Sequence, residues 1–272
     1  MAPGANQNIS TSSVLQKTTT VGTKNNTRTQ INKPRPIESL RERLKNNPLV
    51  YVVADYGIFQ AGTFEFWVAQ EEIFRLLSKK TIDVTIITAW QMILNLMARG
   101  KNKCSFINPH RITGGDCQKN PEDVVNYLVE AMRIHHAKHF LLAPYLQSEH
   151  WVLLVICPHT RTAYILDSST GPTKKPVDTY YLVKRHVDTA FARYQKDTSD
   201  SISWILPECN QQLSNWECGY YVMKWMLDFV MVGQHGLLTK TDTPWNDETP
   251  IPEKTLVSIV ATWASQFQRN YM

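Results

Sequence analysis

Four side chains in this sequence have the types and spacing for nucleophilic chemistry: His150, Asp167, Gln212 and Cys218. Cys218 stands in NWECGYYVMKWM (215–226), directly before an aromatic and apolar run that reads as a helix. A thiol at the head of a helix meets unpaired N–H groups and the positive end of the dipole, and both favour a thiolate. Gly219 leaves room beside the sulfur for a close backbone approach. Glu217 acts the other way, because a neighbouring negative charge opposes thiolate formation. The competing reading is a buried filler at the start of a core helix, the more ordinary use of a cysteine.

An imidazole decides between these readings, and HWVLLVICPHTRTAYILD (150–167) supplies one. Two apolar runs of strand length flank the polar CPHTRT, which predicts an antiparallel hairpin. With the loop centred on 158–160, paired positions sum to about 317–319, and His150 with Asp167 gives 317. The spacing therefore sets them opposite one another at the open end, or one step out of register, with Cβ atoms roughly 5 Å apart. A carboxylate there fixes the tautomer of the imidazole and stabilises its charged form. Gln212, six residues before Cys218, can donate an amide N–H to a developing oxyanion together with the Cys218 backbone N–H; Gln211 is its neighbouring rival.

The elements that must position these groups are readable from periodicity. Strands are predicted at 48–57, 139–146, 150–156, 162–168 and 201–206, and helices at 69–80, 84–100, 121–140, 179–197, 218–232 and 254–270. In 84–100 the apolar residues at 86, 87, 90, 93, 94 and 97 mark one helical face, and Gly100 is the stop. Helices first and strands clustered in the middle indicate an α+β fold. Residues 37–47 read as a short polar helix after Pro34 and Pro36.

Charge is concentrated at the start. Residues 1–47 hold eight Lys/Arg against two Glu, leaving 21 basic against 22 acidic groups in the remainder, so the basic character belongs to the leader. Its Thr, Asn, Gln and Ser content predicts disorder, and its charge suits nucleic acid, an import receptor or an acidic partner. The expected domains are a disordered basic leader over 1–47 and one folded unit over 48–272. That unit comprises a mostly helical part (48–138), a core (139–232) and a C-terminal helix (254–270). No run of 18 apolar residues and no secretory signal are present, so neither a membrane partner nor secretion is expected. Five cysteines without tight spacing are expected to be free thiols. His135 and His139 have helical metal-ligand spacing, but no Glu or Cys pair completes a site, and the reading is no metal.

In order and spacing, His150–Trp151, Asp167, Gln212 and Cys218–Gly219 resemble the ubiquitin-like-protein proteases, the SUMO/sentrin-specific cysteine peptidases. The ECGYYVMKWM wording is most similar to their plant, transposon-associated branch. The resemblance is strong over 139–232 and diffuse over 48–138. It implies a papain-like core in the adenovirus-protease/SUMO-protease arrangement, a central mixed sheet flanked by helices. It further implies cleavage after the Gly-Gly terminus of a SUMO-like modifier, by deconjugation or precursor maturation, with no cofactor. Cys218 would be the nucleophile, His150 the base and then acid, Asp167 its orienter and Gln212 the oxyanion donor. Trp151 and Gly219 would line the substrate channel. A monomer is implied, nuclear or otherwise cytoplasmic, with nucleic acid contacted only through the leader. Family members often carry a Trp that closes over the diglycine; here KTIDVTII (80–87) puts Thr81 or Ile82 there, with Trp90 the nearest aromatic. Two other classes fit less of the sequence. One is a non-catalytic, protease-derived module that binds a modifier or a transposition complex; the other is an acyltransferase on the same scaffold.

Overall fold

The computed structural model of the chain describes residues 36–98, 103–169, 180–196, 201–231 and 247–272. The leader up to residue 35, the Gly100 stop and the ends of the helices expected at 179–197 and 218–232 lie outside the described residues.

Ordered structure begins before the strand expected at 48. Helix α1 (Pro36–Leu44) is polar in composition but buries Leu40 and Leu44, and its Ser39 hydroxyl donates to Gln268 Oε1 of the C-terminal helix at 2.8 Å. Two buried leucines on one side suffice to dock it, so the boundary at 47 falls after a helix that belongs to the fold. Strands β1 (Leu49–Ala54) and β2 (Phe64–Ala69) form a separate antiparallel pair. The helices α2 (Gln70–Leu77) and α3 (Val84–Ala98) follow. Helix α3 departs from the expected single apolar face: every residue from Ile86 to Leu94 is buried, including Thr88 and Gln91. Gln91 is accommodated by donating to the Ile107 carbonyl at 3.0 Å.

Next come β3 (Cys104–Phe106), α4 (Gly114–Lys119) and α5 (Pro121–Ile134). Strands β4 (Phe140–Gln147), β5 (His150–Cys157) and β6 (Thr162–Leu166) then run in succession. The chain closes with α6 (Tyr181–Gln195), β7 (Ser203–Ile205), α7 (Cys218–Met231) and α8 (Glu253–Tyr271). The part over 48–138 thus contains three strands as well as helices.

The main sheet has the order β3-β4-β5-β6-β7, with parallel pairs at both edges and antiparallel pairs in the middle, a mixed α+β arrangement. Its two faces have separate cores. Leu153, Val155 and Leu166 pack with residues of α3, α7 and α8, whereas Val152, Leu154, Ile156 and Ile165 pack with α5 and α6. Burial on both faces explains why β5 is apolar at every position after His150. Helices cover both sides, so the open end of the central strands is where polar groups gather.

Candidate active site

His150 is the first residue of β5, set by a two-residue turn. Ser148 and Glu149 both have positive φ (49° and 63°), and Gln147 pairs with His150 across them. This is type I′ hairpin geometry, commonly given to Asn-Gly, built here from two side-chain-bearing residues. The β5–β6 register lies at the upper end of the expected range, so His150 and Asp167 do not face one another directly. Leu153 pairs with Leu166 and Cys157 with Thr162, so partners sum to 319 and Asp167 is level with Val152. His150 and Asp167 are therefore diagonal neighbours two positions apart, which keeps them on one face. Asp167 lies just past the end of β6, and His150 Nε2 lies 2.7 Å from its Oδ1.

Asp167 is buried, 3% exposed. Burial alone would favour its neutral form, but hydrogen bonds from His150 and Tyr180, the imidazolium charge and the Ser169 N–H at 2.9 Å outweigh it and hold the carboxyl at about 2. The same balance acts on His150. Burial disfavours its charge, yet hydrogen bonds to Asp167 and to Cys218, with the charges of both, lift it to about 9. With Nε2 on Asp167, Nδ1 is the ring atom left for the thiol. The imidazole thus bridges acid and thiol, and Cys218 is the first residue of α7, where helix N–H groups face it.

The loop before α7 is held by its own polar groups. Glu217 turns its carboxylate back onto the Leu213 and Ser214 N–H groups at 2.8 and 2.9 Å, which occupies the charge expected to oppose a thiolate. The Tyr221 hydroxyl donates to the Gln211 carbonyl at 3.1 Å. The two glutamines separate in role. Gln211 Nε2 donates to the Cys209 and Asp167 carbonyls at 2.8 and 3.2 Å. Gln212 Nε2 donates to the Ser214 carbonyl at 2.5 Å, and its Oε1 accepts from the Ser168 hydroxyl at 2.6 Å. A carbonyl can only accept, so the Ser214 contact fixes which amide atom is nitrogen, and that nitrogen keeps a second hydrogen.

Gly219 departs from expectation. The space beside it is filled by Ile82: a Cβ there would lie 2.6 Å from Ile82 Cδ1, with Cγ1 as close, and 3.3 Å from Trp151 Cδ1. Gly219 thus makes room for a side chain of this chain at the position a Cβ would take. Trp151 is buried against it and donates from Nε1 to the Ile82 carbonyl at 3.0 Å. Of the two candidates at the clamp position, Thr81 is exposed and hydrogen-bonded to Arg75, while Ile82 points into the site. Trp90 is a core anchor, its Nε1 donating to the Met223 carbonyl at 2.9 Å. A cleft of about 300 Å³ lined by Arg75, Thr81, Ile82, Glu149 and Trp151 opens beside this contact.

The residues that sequence reasoning missed are Tyr180, Ser168 and Ile82's contact with Gly219. Their links run between segments far apart in the chain, and no local spacing signals them. None of the five cysteines is in a disulfide, and burial pushes Cys104, Cys117, Cys157 and Cys209 up to about 12. The His135/His139 spacing is not helical in fact: α5 ends at Ile134, and His135 Nδ1 lies 2.7 Å from Ser105 Oγ. No cluster of three metal-ligating side chains occurs among the described residues.

A mixed sheet between helix layers, with an imidazole joining a buried carboxylate to a thiol at a helix start, is the architecture of a cysteine peptidase domain. The sequence matches the family described as "Ulp1 protease family, C-terminal catalytic domain" over residues 95–244, more than half of the chain. The chain belongs to that family. Its fold is similar to that of SUMO protease Ulp1 with its catalytic cysteine oxidised to a sulfenic acid (TM-score 0.61, 12% identity, 86% of this chain and 94% of that one). It is also similar to the C-terminal Ulp1 protease domain in complex with Smt3, the yeast ortholog of SUMO (TM-score 0.58, 13% identity, 86% and 94%). A third likeness is to the Ulp1-like SUMO protease catalytic domain of Chaetomium thermophilum (TM-score 0.53, 14% identity, 85% and 89%). No curated protein matches the sequence.

Proposed function

We propose that the chain is a peptidase or isopeptidase that cleaves after the C-terminal Gly-Gly of a SUMO-like modifier, by Cys218–His150–Asp167 catalysis. The observation that carries this is the imidazole of His150, held on the buried Asp167 carboxylate at 2.7 Å, with Cys218 at the head of α7 close enough to add to the upward shift of that imidazole.

In the first half-reaction His150 takes the Cys218 thiol proton and the sulfur attacks the scissile carbonyl carbon. The C=O electron pair moves to oxygen, and Gln212 Nε2 and the Cys218 N–H donate to that oxyanion. Collapse breaks the C–N bond as His150 gives its proton to the leaving amine, leaving a thioester. A water deprotonated by His150 then attacks the thioester, releasing the modifier's carboxylate and the thiol. Asp167 stays ionised throughout and supports the imidazolium. The cleft beside Trp151 and Ile82 has the position for an extended C-terminal tail. The basic leader supports a nuclear setting and an acidic partner.

A second reading, a non-catalytic modifier-binding module, draws on Ile82 filling the space beside Gly219. Incubation with a panel of modifier precursors extended beyond Gly-Gly, and with isopeptide conjugates, separates the two. Cleavage after Gly-Gly that is lost in Cys218→Ser supports the peptidase. Binding of a modifier without any cleavage contradicts it.

A further inference from the structure

We propose that Tyr180 is a positioning residue for the site: its hydroxyl, donating to Asp167 Oδ2, pins the carboxylate so that Oδ1 stays on His150. This rests on the peptidase reading and adds to it a residue outside the His150, Asp167, Gln212 and Cys218 set.

The two carboxylate oxygens have different partners. Oδ1 takes His150 Nε2 at 2.7 Å and the Ser169 N–H at 2.9 Å, while Oδ2 takes the Tyr180 hydroxyl. A carboxylate held through one oxygen alone can turn about its Cβ–Cγ bond, and that torsion is broad. A donor on the second oxygen stops the rotation. Tyr180 is itself buried, 2% exposed, and stands immediately before α6, whose Val183, Val187 and Phe191 anchor it to the sheet. Asp167, just past β6, and Tyr180, just before α6, are thirteen residues apart in the chain. Burial, and then the charge and hydrogen bond of Asp167, push the Tyr180 phenol up, so it stays protonated and remains a donor.

The titratable groups around this contact come from every neighbouring element. His150 and Cys218 lie on one side. Tyr145 of β4 and Cys209 lie near the phenol, Glu248 bears on Cys209, and the Cys209 thiol donates to the Asp167 backbone carbonyl at 3.3 Å. Cys209 and Tyr145 are pushed up by burial and stay neutral through the acid range. Any change in that range therefore reports on Asp167, His150 and Cys218.

The test is the pH dependence of Cys218 alkylation by iodoacetamide, a neutral reagent that needs no modifier, in the full chain. The parent is expected to show a limb of rapid labelling well below the ordinary thiol range. Tyr180→Phe keeps the ring and is expected to move that limb to higher pH, with labelling at pH 6 on the order of tenfold slower. In an Asp167→Asn background the same substitution is expected to add nothing, because its route is gone. If Tyr180→Phe fails to fold, 3-fluorotyrosine at position 180 serves instead; its more acidic hydroxyl is a stronger donor and is expected to move the limb the other way. A parent limb unchanged by either variant overturns the Tyr180 role and leaves the nucleophile intact. An equal effect with and without the Asp167 carboxylate makes Tyr180 a packing residue only and overturns the role too. A parent with no low-pH limb overturns the nucleophile reading, and the role of Tyr180 with it.

Discussion

At its closed end the β5–β6 hairpin carries Cys157 and His159; at its open end it carries His150 and Asp167, with the Cys218 thiol near enough to add to the upward shift of the imidazole. The residue types are nearly the same, and the surroundings are not. Cys157 faces the α7 side of the sheet among apolar residues, and burial pushes its thiol up to about 12. His159 stands exposed in the turn, with His139 as its ring neighbour at 5.7 Å. At the open end a buried carboxylate holds the imidazole, and the thiol heads a helix. The cysteine and histidine two residues apart lack both features, and the pair 68 positions apart in the chain has both. What distinguishes the second pair is the third group and the helix start, both supplied by the fold.

The contrast breaks most visibly in activity. His150→Ala and Cys218→Ser are each expected to lower turnover by about three orders of magnitude or more, with unfolding midpoints close to the parent's. Cys157→Ala is expected to leave turnover unchanged while costing about 1 kcal/mol of stability in denaturant titration. A loss of turnover with Cys157→Ala would collapse the difference between the two ends.

Packing beside the Cys218 thiol gives the next effect. Gly219→Ala places a Cβ 2.6 Å from Ile82 Cδ1, so one of them must shift. An overpacking cost of about 1–3 kcal/mol is expected, with part of it recovered in the double variant Gly219→Ala/Ile82→Ala. Thermal unfolding of the four proteins checks this. No recovery would mean that Ile82 is not the contact that requires glycine.

The smallest effect is a pH dependence confined to the open end. Asp167 is held at about 2, below its ordinary 3.8, so its contribution to stability is present above 3.8 and is lost as pH falls toward 2. His150 is raised from 6.5 to about 9, so its contribution is present below 6.5 and is lost as pH rises through 9. The stability difference between parent and Asp167→Asn is therefore expected to peak between these ordinary values and to shrink on either side. For Cys157→Ala, whose thiol stays neutral up to about 12, the difference is expected to be flat over the same range.

Much of the open end was legible in the sequence because hairpins are local. The apolar runs around CPHTRT set the two strands, and strand alternation put His150 and Asp167 on one face even with a register two positions from the facing one. Cys218 at the first residue of α7 followed from the polar-to-apolar switch at 217–218. The short elements β3 and α4 escaped, since three and six residues are too few to show a period. Strand β2 was not read as a strand, although Phe64, Phe66 and Val68 alternate along FEFWVA. Helix α3 reads as one-faced because Thr88 and Gln91 interrupt its apolar run, yet both are buried once α7 and α8 surround it. The contacts of Ile82 with Gly219 and of Tyr180 with Asp167 join distant segments, and no periodicity encodes them.

The central claim is that the fold gives Cys218 an activated thiol that Cys157 lacks. Covalent trapping tests it most directly. The purified chain is incubated with modifiers of the SUMO and ubiquitin classes, each ending in a Gly-Gly electrophile, and any adduct is located by peptide mass spectrometry. The account predicts an adduct on Cys218 with a SUMO-like modifier, absent in His150→Ala and retained in Cys157→Ala. Labelling of another cysteine, or a Cys218 adduct that survives His150→Ala undiminished, would contradict it.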